Sequence, residues 1–230
     1  MIKENLKHAK LHILEACKRS GREEGEVTLI AVSKTKPLEM IQEAVEAGMM
    51  EFGENKPQEM RDKAKLLDTP VHWHMIGSLQ TNKIKYVVGT ACLIHSVDSV
   101  ALAAAIDKEA EKKEVCMDIL LEVNIAKEGS KHGFLEEEVL PAVMEISKMP
   151  HLRIKGLMTV APYTENAEEN RIYFRKMKEL LVDIKTKNID NVFMDILSMG
   201  MTSDYEVAIE EGATMVRIGT GIFGERNYSL

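Results

Sequence analysis

Cysteine is scarce in this chain: Cys17, Cys92 and Cys116 are the only three in 230 residues, odd in number, far apart and without a C-x-x-C. That argues against a disulfide framework and a cysteine-type zinc site, and predicts reduced, mostly buried thiols. Long apolar runs are missing as well. None approaches the roughly 20 residues of a membrane span, and the start Met1-Ile2-Lys3-Glu4-Asn5-Leu6-Lys7 lacks the apolar stretch of a signal peptide. The expected location is the cytoplasm, with no membrane partner. There is no basic excess: 30 Lys and Arg face 37 Asp and Glu, a formal charge of −7. Nucleic acid is therefore not expected as a partner, because phosphate backbones are bound by surplus Lys and Arg. No G-x-G-x-x-G follows the first apolar strand, which removes the usual reason to expect a dinucleotide-binding fold.

What is present is alternation. Ile2, Leu6, Ala9, Ile13, Ala16 and Cys17 recur at helical spacing before Gly21, predicting an opening amphipathic helix over about 2–20. Val27 to Ser33 then reads as a strand covered on both faces, being apolar without alternation. Pro37 suits the first position of a helix ending at Gly48, and Met49 to Phe52 is the next strand. Helices at about 56–67 and 80–87 flank the strand Val71–Gly77. The strand Cys92–Val97 leads to Asp98, placed to cap an Ala-rich helix reaching Lys113. Val115–Val123, a helix over about 135–148, Leu152–Val160 and a helix marked by Ile172 to Ile184 follow. Val192–Leu197 is the seventh strand, Ser203-x-x-Glu206 reads as a capping box, and Thr214–Ile218 is the eighth. Eight strands alternating with helices, without a linker rich in Pro, Gly or Ser, predict one α/β domain over 1–230: a closed (β/α)8 TIM-type barrel with an extra N-terminal helix.

In such barrels chemistry gathers at the strands' C-terminal ends, and phosphate often lies between the loops after strands seven and eight. Those segments here are Ser198-Met199-Gly200-Met201-Thr202 and Gly219-Thr220-Gly221, read as two turns. Ser198 offers a hydroxyl, while Gly219 and Thr220 offer backbone N–H groups. Lys34 ends the first apolar strand; a lysine, ordinarily near pKa 10.4, attacks a carbonyl only when desolvation or a neighbouring cation favours its neutral form. Together these features suggest a phosphorylated carbonyl compound bound through a Schiff base. Lys36 lies in the following turn and is expected to be solvated. Arg217 sits inside an apolar strand, so it is expected to face a ligand or a carboxylate. Asn55 suits either a ligand or a helix cap. His72 and His74 share one side of a strand, as in metal sites, but no third ligand is evident, and no metal is expected.

The combined motifs Ala31-Val32-Ser33-Lys34-Thr35-Lys36-Pro37, Phe52-Gly53-Glu54-Asn55, Trp73-His74-Met75-Ile76-Gly77, Gly156-Leu157-Met158, Ser198-Met199-Gly200-Met201 and Met215-Val216-Arg217-Ile218-Gly219-Thr220 cover nearly the full length. They resemble the pyridoxal 5′-phosphate homeostasis protein family, single-domain relatives of the alanine racemase barrel. The resemblance implies pyridoxal 5′-phosphate as cofactor, an internal aldimine at Lys34, phosphate held by Ser198, Gly219 and Thr220, and Arg217 against the pyridine nitrogen. It places Asn55 and His74 in the pocket wall.

An arginine at the ring nitrogen disfavours its protonation and so weakens carbanion stabilisation. The related racemases carry a second, β-rich domain with a catalytic tyrosine, for which a chain ending at Leu230 leaves no room. The resemblance thus implies a cofactor holder active in storage, delivery to pyridoxal-phosphate-dependent apo-enzymes and amino-acid balance, without efficient catalysis. The alternative is an amino-acid racemase using Tyr163 or His74 as acid or base. A cofactor-free Schiff-base aldolase is a third reading.

Overall fold

The opening helix α1 (Ile2–Arg19) buries the six apolar residues that mark its period. In the computed structural model, which describes residues 1–129 and 132–225, α1 lies against the outside of a closed barrel rather than within it. Arg19 at its end pairs with Glu206 and Glu210, and Arg22 donates to the carbonyls of Ile209 and Ala213.

The barrel is built from β1 (Thr28–Val32), β2 (Glu51–Glu54), β3 (His72–Met75), β4 (Ala91–Val97), β5 (Met117–Glu122), β6 (Leu152–Met158), β7 (Val192–Met201) and β8 (Met215–Ile218). Each pairs in parallel with the next, and β8 closes on β1 through Ile30 opposite Arg217. The expected (β/α)8 barrel is observed. The outer layer holds α2 (Leu38–Glu46), α3 (Pro57–Leu66), α4 (Val100–Lys112), α5 (Glu136–Ile146), α6 (Arg171–Thr186), α7 (Tyr205–Glu210) and the short α8 (Thr220–Phe223).

Several local expectations are corrected. Ser198 to Met201 is strand, not turn: β7 runs on to Met201, with Ser198 opposite Met215 and Met201 opposite Arg217. Gly200 permits this because its φ is +92° and a Cβ there would lie 2.6 Å from Ala208 Cβ, so α7 packs directly on the strand. Ser203 and Glu206 form no capping box. The first residue of α7 is Tyr205; Asp204 precedes it and accepts from the Met201 N–H, while Glu206 is drawn to Arg19. Ser99, not Asp98, caps α4, accepting from Leu102 N–H at 3.2 Å. Pro37 precedes α2 instead of opening it, and Thr81–Tyr86 is a 3-10 helix. Only Cys17 is buried; Cys92 and Cys116 are exposed.

The lumen is layered. Leu93, Leu120 and Met158 pack with Val160, Ile196 and Met215 into an apolar plug. Two residues further along four of the strands come His95, Glu122, Ser198 and Arg217. Because side chains alternate across a strand, this places a polar layer directly above the apolar one, toward the strands' C-terminal ends. Other apolar strand residues, among them Leu29, Ala31, Phe52, Ile119, Leu121 and Val216, belong to the main core beneath the helices.

Candidate cofactor site at the C-terminal face

Lys34 is half-buried in the turn immediately after β1. Both of its neighbours are pinned. Ser33 Oγ donates to the buried Glu54 carboxylate at 2.6 Å, and the Thr35 N–H donates to Glu59 at 2.6 Å. Lys63 Nζ ties these together, donating to Glu54 (2.7 Å), Glu59 (2.7 Å) and the Ser33 carbonyl (2.8 Å). Burial raises the Glu54 carboxyl above its usual range, against the pull of Lys63 and Ser33. Glu54 enters the sequence reading only as part of the Phe52-Gly53-Glu54-Asn55 motif, and Glu59 and Lys63 not at all; the hint for that pair is a Lys at i+4 from a Glu on α3.

The turn after β8 lies beside this one. A Cβ added at Gly219 would sit 3.5 Å from Val32, at the end of β1. Lys36 is not solvated as expected: its Nζ donates to the carbonyls of Phe223, Gly224 and Glu225 at 3.2, 3.0 and 3.0 Å. One lysine thus binds the Lys34 turn to the end of α8. The N–H groups of Thr220 and Gly221 open that helix, where no intrahelical carbonyl can reach them, so they are donors for a ligand anion.

Arg217 is 4% exposed. Nη1 donates to Ser198 Oγ at 2.5 Å and Nη2 to the Thr159 carbonyl at 2.8 Å. No carboxylate lies within ion-pair distance among the described residues. Burial lowers its pKa to about 10, opposed by the more distant Glu122 and Asp204. Of the two sequence alternatives, a direct carboxylate partner is not observed, and the guanidinium keeps donors for an uncharged or anionic acceptor.

Ser198 is fully buried and engaged by Arg217 and by His95 Nδ1 at 2.9 Å. The hydroxyl beside the Gly219 turn is Thr202, whose Oγ1 lies 3.4 Å from Gly219 N. Asn55 is half-buried after β2 and does not cap α3, which opens after Lys56 without a side-chain cap; its backbone sits close enough to Gly77 that a Cβ there would meet Asn55 O at 2.5 Å.

His74 lies deeper than the mouth. Its Nδ1 meets His95 Nε2 at 2.9 Å and its Nε2 meets Glu51 Oε2 at 2.7 Å. A continuous chain therefore crosses the lumen. Arginine has no acceptor, so one direction satisfies every contact with neutral imidazoles: Arg217 donates to Ser198, Ser198 to His95, His95 to His74, and His74 to Glu51. Burial, with His74 and Arg217 nearby, holds His95 well below its ordinary pKa and hence neutral. Tyr163, the other residue named for acid/base chemistry, is 90% exposed.

Residues 6–227 match the alanine racemase N-terminal domain family. The pyridoxal phosphate homeostasis protein of Aquifex aeolicus is 46% identical over 227 residues, spanning 98% of both chains, and that of Pseudomonas aeruginosa is 40% identical, spanning 99% of this chain and 96% of its own. The chain belongs to the pyridoxal phosphate homeostasis protein family. PipY of Synechococcus elongatus, solved with PLP bound, superposes with a TM-score of 0.83 at 35% identity, covering 97% of this chain and 100% of its own. Alanine racemase of Clostridium difficile shares the barrel, with a TM-score of 0.76 at 12% identity, over 57% of its own chain. No helix among the described residues is long and apolar enough to cross a membrane.

Proposed function

We propose that this chain holds pyridoxal 5′-phosphate, attached covalently through Lys34, and serves cofactor homeostasis and amino-acid balance in the cytoplasm without efficient catalysis of its own. The observation that carries this reading is Arg217: a buried guanidinium with no ion-pair partner among the described residues, on β8 just before the Gly219–Thr220 turn and beside β1, which leads into the Lys34 turn. The residues suit the ligand. Lys34 supplies the amine for the carbonyl carbon, the Gly219–Thr220–Gly221 turn and Thr202 receive the phosphate, and Arg217 donates to the ring nitrogen, with Asn55 at the pocket wall. In this reading Ser198 acts through Arg217 instead of touching phosphate, and His74 supports that chain from below.

When bound, this cofactor supplies an electron sink for charge at a substrate carbon. Arg217, itself a donor, gives the ring nitrogen no proton-holding carboxylate, which weakens that sink. Neither residue named for racemase chemistry is available: Tyr163 points into solvent and both nitrogens of His74 are engaged.

The test is the visible spectrum of the purified protein before and after borohydride, followed by peptide mapping. The expected result is one reduced adduct, on Lys34, absent from Lys34→Ala. An adduct on another lysine would overturn the attachment. Transfer to recipients is tested by adding loaded protein to a pyridoxal-phosphate-dependent apo-enzyme in the presence of a scavenger of free cofactor; activation faster than in the absence of the protein supports delivery.

A further inference from the structure

At the opposite, N-terminal end of the barrel, closure brings together residues that are far apart in sequence. Glu51 begins β2, His74 lies on β3 and Cys92 on β4; one ligand atom from each falls within 4.8 Å of the others. Cys92 Sγ is 3.6 Å from His74 Nε2, and Glu51 Oε2 is 2.7 Å from the same nitrogen. We propose that Glu51 Oε2, His74 Nε2 and Cys92 Sγ bind a divalent cation of the zinc class, with solvent in the fourth position.

The distances suit that ion. Zn–S near 2.3 Å and Zn–N near 2.0–2.1 Å in a tetrahedron imply S···N of about 3.6 Å, and Zn–O near 2.0–2.2 Å implies N···O of about 3.3 Å. The sulfur–nitrogen separation already matches. The oxygen–nitrogen pair must open from 2.7 Å by about 0.6 Å, which Glu51, at the start of its strand and 27% exposed, has room to do. A thiolate and an imidazole select zinc-class ions over magnesium or calcium.

The surroundings have the form of an outer shell. His72 Nδ1 holds the other Glu51 oxygen at 2.6 Å, and His95 holds the other nitrogen of His74. Entry is open, because Cys92 and His72 are both exposed. On binding, the thiol proton passes to water and the sulfur coordinates as thiolate; the two negative ligands then balance the 2+ ion. The imidazole proton of His74 moves to Nδ1, which donates to His95, so the hydrogen-bond direction reverses as far as Ser198.

The site shares His74 with the chain that reaches Arg217, but the proposal does not rest on the cofactor reading and its test does not use cofactor. The full chain, stripped with chelator, is titrated with Zn2+ and Co2+. One cation per chain and an intense tetrahedral Co2+ band in the red are expected, retained in Cys116→Ser and lost in Cys92→Ser. In the unmodified protein, Zn2+ is expected to slow alkylation of Cys92 at least tenfold while leaving Cys116, the other exposed thiol, unchanged, as read by peptide mass. Equal alkylation of Cys92 with and without Zn2+ overturns the site. So does a Co2+ band that survives Cys92→Ser or disappears in Cys116→Ser.

Discussion

Arg217 donates to Ser198 Oγ at 2.5 Å, and that hydroxyl is completely buried. In the proposed reading two roles lie four residues apart on β7 and the turn after it: Ser198, in contact with the guanidinium, steadies it, and Thr202, beside the Gly219 turn, meets the phosphate. Ser198→Ala is expected to weaken pyridoxal phosphate and unphosphorylated pyridoxal alike, by about five- to tenfold, the worth of one ordinary hydrogen bond. Thr202→Val is expected to weaken only the phosphorylated form. Absorbance titrations with both ligands check this; a Ser198→Ala effect confined to the phosphorylated form would return the phosphate role to Ser198.

Lys36 is expected to matter despite standing outside the ligand. Its three carbonyl contacts join the Lys34 turn to the end of α8. Lys36→Met should lower the melting temperature by about 2–4 °C, the equivalent of roughly 1 kcal/mol in a chain of this size, and speed loss of bound cofactor. Calorimetry and release into a scavenger measure the two effects.

Removing Lys63 leaves the fully buried Glu54 without its cation. Lys63→Met is expected to destabilise by about 3–5 kcal/mol, and adding Glu54→Leu should recover most of that. Denaturant titrations of the single and double variants give the comparison. The carboxyl's folded pKa is already raised and should rise further in Lys63→Met. Its ionisation then penalises folding, so the single variant should be more stable at pH 5 than at pH 8, losing stability as pH rises through the folded value.

Arg171 joins α6 to α7 by donating to Glu210 at 2.7 Å and Glu211 at 2.9 Å. Burial works against ionisation of these carboxyls, but the hydrogen bonds from Arg171, Arg19 and Arg175 prevail and hold both below the usual range. Lowered folded values mean stabilisation that is complete above the unfolded pKa, about 4.3, and lost as pH falls through the folded values. Arg171→Met should therefore melt lower than the native chain at pH 7 and approach it near pH 3. A melting-temperature difference that does not shrink on acidification would contradict the assignment.

Much of this fold was legible in the chain. The apolar period of α1, the unbroken apolar run of Leu29 to Val32, and the glycines closing α2 and α7 each act through local physics: side-chain direction along a helix, burial of a strand on both faces, and the left-handed φ of +82° at Gly48 and +100° at Gly212. The turn boundaries were less legible. Gly200 signalled a turn but sits within a strand, its freedom used for close approach to α7.

The amino-acid sequence by itself determined the alternation of strand and helix, the position of Lys34 at a strand end, and the motifs that identify the family, because all of these depend on near neighbours. Only the tertiary structure decided which side chains share the lumen. A parallel strand covered on both faces carries no alternation to mark its inner side, so nothing local distinguishes Ser198 beneath Arg217 from Thr202 at the mouth. Nor does anything local announce that Glu51, His74 and Cys92 converge. Closure of β8 onto β1 fixes the tilt and register of all eight strands at once, and that geometry assigned each residue its partner.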